Sequence, residues 1–324
     1  MIAVTGAAGF IGSAIIWALN QQGASDILAV DSLGRDEKWK NLSSLKIQDY
    51  WGKNEFLQAV ESRSPLLNSL EGIIHMGACS STTETDASYM LRNNFTYTKK
   101  IALWAMEKGL RFVYASSAAT YGDGRMGFSD NLIEELRPLN IYAYSKQLFD
   151  IWAKKKGLLN KIAGLKYFNV FGPNEYHKGS MRSVVLKAFE QIQETEKVKL
   201  FKSYHPDYPH GGQKRDFVYV KDAAKATVFI YYNREACGII NIGTGKARTF
   251  LELVQAVFRA LNKKEKIEFI DMPEGLAEKY QYFTQADIQK LLNLGYPHSF
   301  TPLEEAIEDY IKNYLLASYP YLSS

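Results

Sequence analysis

Ile2-Ala3-Val4-Thr5-Gly6-Ala7-Ala8-Gly9-Phe10-Ile11-Gly12 opens the chain with a short apolar run and a glycine-rich turn, and a helical stretch, Ser13 to Gln22, follows. Strand, glycine turn and helix come in the order a dinucleotide requires: glycines let the backbone turn tightly and approach a pyrophosphate, which rests on the helix N-terminus. The spacing, Gly-x-x-Gly-x-x-Gly, is one residue off the usual fingerprint. Ile27 to Val30 reads as a second strand ending in Asp31. An acid there accepts hydrogen bonds from an adenosine ribose 2'-hydroxyl and favours NAD. Arg35, Lys38 and Lys40 follow at once, and a cation folded back onto the ribose would hold a 2'-phosphate instead. The spacing therefore speaks for both NAD and NADP, and a solvated loop would also account for the lysines.

Outward from this start the chain reads as an ordinary globular α/β protein. It has 324 residues, 46% hydrophobic and 23% charged, enough for one large domain or two unequal ones. Cys79 and Cys237 are too few for a disulfide framework, which fits a reducing compartment and free buried thiols. No basic leader with a cleavage site follows Met1, and no apolar run approaches the roughly 20 residues that span a bilayer. A cytoplasmic protein with no membrane partner is expected. The net charge of +4 is spread along the chain, so no nucleic-acid interface is predicted. Further strands are predicted at Leu45–Gln48, Gly72–Met76, Arg111–Ala115, Ile162–Tyr167 and Ile239–Ile242, and helices at Phe56–Val60, Tyr89–Lys108, Lys221–Tyr232, Phe250–Leu261 and Leu303–Tyr314. Asn93 and Asn94, poor helix formers in mid-helix, predict a local distortion or a ligand contact. Thr83 or Thr85 would serve equally as helix caps. The closing Ser318–Ser324 reads as frayed.

The chemistry lies in Tyr142-Ala143-Tyr144-Ser145-Lys146. On a helix, residues four apart share a face, so Tyr142 and Lys146 stand together while Tyr144 points elsewhere. An ammonium beside a phenol favours the phenolate and prepares a general acid/base. With 21 Tyr in the chain the pair would carry little alone. Ser117, just past the fifth strand, supplies a hydroxyl to hold a substrate oxygen while Tyr142 moves the proton. Together, the glycine turn, the acid after the second strand, the serine turn and Tyr-x-x-x-Lys resemble the extended short-chain dehydrogenase/reductase family, over residues 1 to about 250. That resemblance implies a Rossmann-type doubly wound parallel sheet with a smaller mixed α/β C-terminal substrate lobe. It places residues 1–170 in the cofactor domain, with 214–245 returning to it, and 171–213 and 246–324 in the substrate lobe. Dehydratases of the family carry an Asp-Glu pair after the catalytic hydroxyl; here Ala118 and Ala119 stand there, so oxidation followed by re-reduction is expected.

Within that family, Ala78-Cys79-Ser80-Ser81-Thr82-Thr83-Glu84, His177-Lys178-Gly179-Ser180-Met181 and Phe283-Thr284-Gln285-Ala286-Asp287 are similar to the ADP-L-glycero-D-manno-heptose 6-epimerase group. The resemblance implies inversion at carbon 6 of an ADP-heptose for the lipopolysaccharide inner core, tightly held NADP, and a homo-oligomer of five or a multiple of five. Carried over, Tyr142 and Lys178 are acid/base groups on opposite sides of carbon 6, Ser117 polarises the carbonyl, and Lys146 holds the nicotinamide ribose. The cofactor set is Gly6, Gly9, Phe10, Ile11, Gly12, Asp31, Ser32, Lys38, Lys53, Met76, Gly77, Ala78, Cys79, Ser80, Asn93, Lys146, Val170 and Lys178. The substrate set is Ser81, Asn169, Ser180, Lys187, Phe201, Arg215 and Tyr280. Lys178 reads otherwise as a surface lysine, and Arg215 as the partner of Asp216. The loop Ser203–Gln213 is longer than the family pattern, and His205 and His210 within it read as exposed turn residues, so no metal is expected. A UDP-hexose 4-epimerase of the same family and an idle NADP-binding sensor are the rival readings.

Overall fold

Ile2–Thr5, buried at all four positions, forms β1 at the heart of the sheet, where a strand covered on both faces must be apolar throughout. The computed structural model describes residues 1–274 and 280–324. The first half runs β1, α1 (Phe10–Gln21), β2 (Ile27–Asp31), β3 (Asp49–Gly52), α2 (Lys53–Glu61), β4 (Gly72–His75), α3 (Ala87–Leu91), α4 (Tyr97–Glu107), β5 (Arg111–Ser117) and α5 (Ile141–Lys155). It continues with β6 (Ala163–Tyr167), β7 (Asn169–Phe171), α6 (Val184–Thr195), β8 (Val198–Phe201), β9 (Lys214–Tyr219), α7 (Val220–Tyr232) and β10 (Gly238–Ile242). β11 (Ala247–Thr249), α8 (Phe250–Ala260), β12 (Ile267–Ile270), α9 (Gln289–Asn293) and α10 (Leu303–Tyr310) complete the described elements.

Seven strands lie side by side in the order β10-β6-β5-β4-β1-β2-β3, every pairing parallel. The strand order reverses between β1 and β4, the crevice in which open α/β sheets bind their ligands. One apolar cluster joins α1 and α7 to one face; a second joins α2, α4 and α5 to the other. A three-stranded sheet, β11-β9-β7, and the parallel pair β12-β8 stand beyond the carboxyl ends of the large sheet's strands.

Several expectations are corrected. Leu45–Gln48 is a loop, and the third strand is Asp49–Gly52; the edge of the sheet needs no apolar run, and Leu45 is instead buried as a loop residue. The helix expected over Tyr89–Lys108 is broken by a π turn at Arg92–Thr96, the distortion that Asn93 and Asn94 announced. The last helix ends at Tyr310 and passes into another π turn, Ile311–Leu315. Cys79 and Cys237 are free but only partly buried. Residues 318–324 are docked rather than frayed: Leu322 is 1% exposed, and its N–H donates to Asn174 Oδ1.

Candidate active site

Asn140 starts α5 by accepting the Ala143 N–H on its side chain, which puts Tyr142 in the first turn and Lys146 one turn on. Tyr144 faces away, 44% exposed. Lys146 is 4% exposed and donates from Nζ to the Ala115 carbonyl at 2.9 Å, tying α5 to β5 just before Ser117. Burial drives the Lys146 amine down to about 8. Burial also pushes the Tyr142 phenol up, while a hydrogen bond with Ser117 pulls it partly back. The upward shift runs against the phenol lowered by Lys146 that the sequence suggests; the Lys146 amine is instead directed at the Ala115 carbonyl.

Lys178 sits in the 3-10 turn Tyr176–Met181 ahead of α6, with Nζ 5.1 Å from the Phe10 ring centroid. Burial lowers its pKa, Glu175 opposes the shift and Lys187 adds to it. Ser117, Tyr142, Lys146 and Lys178 all line one cleft of about 970 Å³ at the carboxyl ends of the central strands. Ala118 and Ala119 line it too, so no carboxylate stands directly after Ser117.

Each residue of the expected cofactor set lines the same cleft. Gly6 has φ +66°, and a Cβ there would lie 2.7 Å from the Gly77 nitrogen; a Cβ on Gly12 would collide with the Gly6 carbonyl. Gly9 caps α1 without a side chain, leaving the first N–H groups of the helix to face the cleft's glycine turn. Such a cradle, with Lys38 and Lys53 in the lining, suits a pyrophosphate-bridged dinucleotide. Asp31 accepts hydrogen bonds from the Ala8 and Ser32 N–H groups and is paired with Lys38 at 2.9 Å. Lys53 reaches Asn93 Oδ1 and lies over the Tyr97 ring.

The substrate set is more dispersed. Asn169 lines the cleft, whereas Ser81, Ser180, Lys187, Phe201, Arg215 and Tyr280 lie outside its lining. Ser81 bonds Thr83, and Lys187 donates to the Ser180 carbonyl. Arg215 is 8% exposed, between Phe250 and Tyr280, whose ring centroids are 5.5 and 5.4 Å from its guanidinium carbon. It is not tied to Asp216, which instead accepts from Thr244, Gly245 and Ala286. Among the described residues no group of His, Cys, Asp and Glu is arranged for a metal; His210 accepts the Ser203 N–H and His205 packs on Tyr208 and Tyr282. Sequence reasoning missed His177, Tyr89 and Gln281, which also line the cleft. Their places depend on distant packing, and only the adjacency of His177 to Lys178 could have drawn attention to it.

Comparison with known proteins agrees with this geometry. An ADP-L-glycero-D-manno-heptose-6-epimerase of Nitratidesulfovibrio vulgaris (strain DP4) is 51% identical over 324 residues, covering 99% of this chain and 100% of that one. One from Fusobacterium nucleatum is 47% identical over 333 residues, with the same coverage. The crystal structure of a Helicobacter pylori protein of the same name superposes with a TM-score of 0.80 at 28% identity, over 96% of this chain and 95% of that one. Residues 2–243 match the sequence profile of the NAD dependent epimerase/dehydratase family, so the chain is an epimerase of that family, built to use a nicotinamide cofactor.

Proposed function

We propose that the protein inverts carbon 6 of ADP-D-glycero-β-D-manno-heptose to give the L-glycero epimer, by way of a 6-ketone, for the inner core of lipopolysaccharide. The observation that carries this reading is that Tyr142 and Lys178, two proton-handling groups from separate segments, line one cleft with Ser117. The end-to-end likeness to proteins named for this reaction supports it. When bound, the nicotinamide accepts a hydride and returns it.

The protein's own part is proton management. Burial raises the Tyr142 phenol and lowers the Lys178 amine, so desolvation disfavours the charged form of each. One of the pair takes the proton from the 6-hydroxyl of the starting epimer, and the other gives a proton to the oxygen of the 6-ketone as it is re-reduced on its opposite face. One inversion leaves one group with an extra proton and the other short of one, and proton exchange between them or with solvent resets the pair. Ser117 holds the oxygen, and Lys146 orients the cofactor's ribose. With Ala118 and Ala119 after Ser117, elimination of water lacks a carboxylate directly after the hydroxyl. Arg215, desolvated between two rings and with no salt bridge to a carboxylate among the described residues, suits a pyrophosphate, whose paired oxygens match its fork.

NADP is the cofactor we assign. Asp31 is already engaged by Ala8, Ser32 and Lys38, leaving little capacity for a 2'-hydroxyl, while Lys38 beside it suits a 2'-phosphate. Residues 1–170 form the cofactor part, joined by 214–245 through α7 on α1 and β10 on β6; 171–213 and 246–324 form the substrate part. A cytoplasmic ring of five or a multiple of five follows from the same resemblance, and no described helix is long and apolar enough to cross a membrane.

The test is proton NMR of ADP-D-glycero-β-D-manno-heptose with purified protein and no added cofactor. Signals of the L-glycero epimer are expected. Silence from folded protein, even after NADP or NAD is supplied, would overturn the assignment in favour of a UDP-hexose 4-epimerase.

A further inference from the structure

Asn174 is fully buried and has φ +77°, in the left-handed region that asparagine enters more readily than most side chains. Its side chain donates from Nδ2 to Ser13 Oγ at 2.9 Å and accepts the Leu322 N–H on Oδ1 at 3.0 Å. Its backbone carbonyl accepts from Asn41 Nδ2 at 3.0 Å, and the same Asn41 amide donates to the Ala8 carbonyl at 2.9 Å. Ser13 in turn donates to the carbonyl of Phe10, the residue whose ring lies under Lys178. Three segments of the cleft therefore meet at one buried point: the glycine turn, the loop that follows Lys38, and the turn that carries Lys178.

Residues 319–324 close this junction from outside. The Tyr319 hydroxyl bonds Ser43 and Ser44 Oγ at 2.9 and 2.6 Å, and the Tyr176 hydroxyl donates to the Pro320 carbonyl at 2.6 Å. Leu322 is in the core, and Ser324 N–H donates to the Ser44 carbonyl at 3.1 Å. The tail thus bonds the loop after Lys38 on one side and the turn of Lys178 on the other. Simple burial of a chain terminus would be served by Leu322 alone; the hydroxyl and amide bonds add register, since a buried polar group that loses its partner is costly.

We infer that Asn174, Asn41 and the tail segment Tyr319–Leu322 form a positioning device for Lys178, holding its turn against the glycine turn as one rigid piece. The inference rests on the acid/base role proposed for Lys178. Proton transfer requires the amine within hydrogen-bond reach of the reacting oxygen, so a loosened turn weakens the chemistry more than the binding. Asn41, Asn174 and the tail touch no reacting atom; they act through Lys178.

The experiment uses the full-length protein with its bound cofactor. Asn174→Gly keeps the positive φ and removes the carboxamide. For Asn174→Gly, kcat for inversion is expected to fall on the order of 10- to 100-fold with KM changed by less than about threefold. In parallel, an amine-reactive reagent and mass spectrometry follow Lys178 against Lys166, which is fully buried elsewhere in the sheet. Labelling of Lys178 should quicken while Lys166 stays protected. Unchanged labelling and kcat, or equal quickening at both lysines, overturns the inference. Should Asn174→Gly fail to fold, Tyr319→Phe takes its place, and an unaltered Lys178 labelling rate there overturns it as well. If the unsubstituted protein does not invert the heptose, the labelling ratio still decides the positioning, and the failure belongs to the proposed reaction.

Discussion

If Tyr142 and Lys178 divide the proton transfers as proposed, each should be separately indispensable. Tyr142→Phe and Lys178→Met should each lower inversion by roughly 100-fold or more while leaving cofactor content unchanged, as read from turnover and the absorbance of released nicotinamide. Full activity of the Lys178 variant would sink the two-base scheme. Arg215 offers a third residue-level outcome: Arg215→Lys loses the fork and the flat stacking surface between Phe250 and Tyr280, so KM for the nucleotide sugar should rise by about tenfold with kcat little altered. Tyr142, Lys146 and Ser117 were legible in the sequence because their relation is local, one helical turn and one strand end. Lys178 was legible only through family resemblance, since one lysine before a helix carries no signal of its own. Asn41 was not legible at all, its partners Asn174 and His177 lying 133 and 136 residues away.

Elements carry the next set of constraints. The π turn at Arg92–Thr96 turns Asn94 inward, where its carboxamide accepts the Cys79 N–H and donates to the Cys79 carbonyl and to Ser145 Oγ, beside Lys146. Asn94→Ala should cost about 1–3 kcal/mol in urea unfolding, because the Cys79 backbone groups are left without partners. Gly12→Ala should abolish cofactor retention and lower the melting temperature, since the added methyl has no room against the Gly6 carbonyl. Buried central strands and strongly periodic helices were legible to within a residue or two, as β1, α7 and α8 illustrate. β3 was missed because an edge strand with residues such as Asp49 and Trp51 has no apolar signature, while the apolar Leu45 and Ile47 just before it mark a packed loop.

At the scale of the whole molecule, the sheet contains a titratable group that the chemistry does not use. His75 is 1% exposed at the end of β4, its ring nitrogens bonded to Thr5 and Thr98 hydroxyls, and burial lowers its pKa from 6.5 to about 3. The unfolded chain therefore binds a proton that the folded one refuses: this stability is complete above 6.5 and is lost as pH falls from there towards 3. Urea midpoints at about pH 7 and about pH 5 should show it, with a slope of at most roughly 1.4 kcal/mol per pH unit, and His75→Gln should flatten that part of the slope. The docking of Leu322 on Asn174 has a consequence in time. The two residues are 148 positions apart, so a ribosome working at ~5–20 residues per second leaves the Lys178 turn without its clasp for roughly 7–30 s. On the positioning proposed for Lys178, its turn would take its final register only once residues 319–322 have been made.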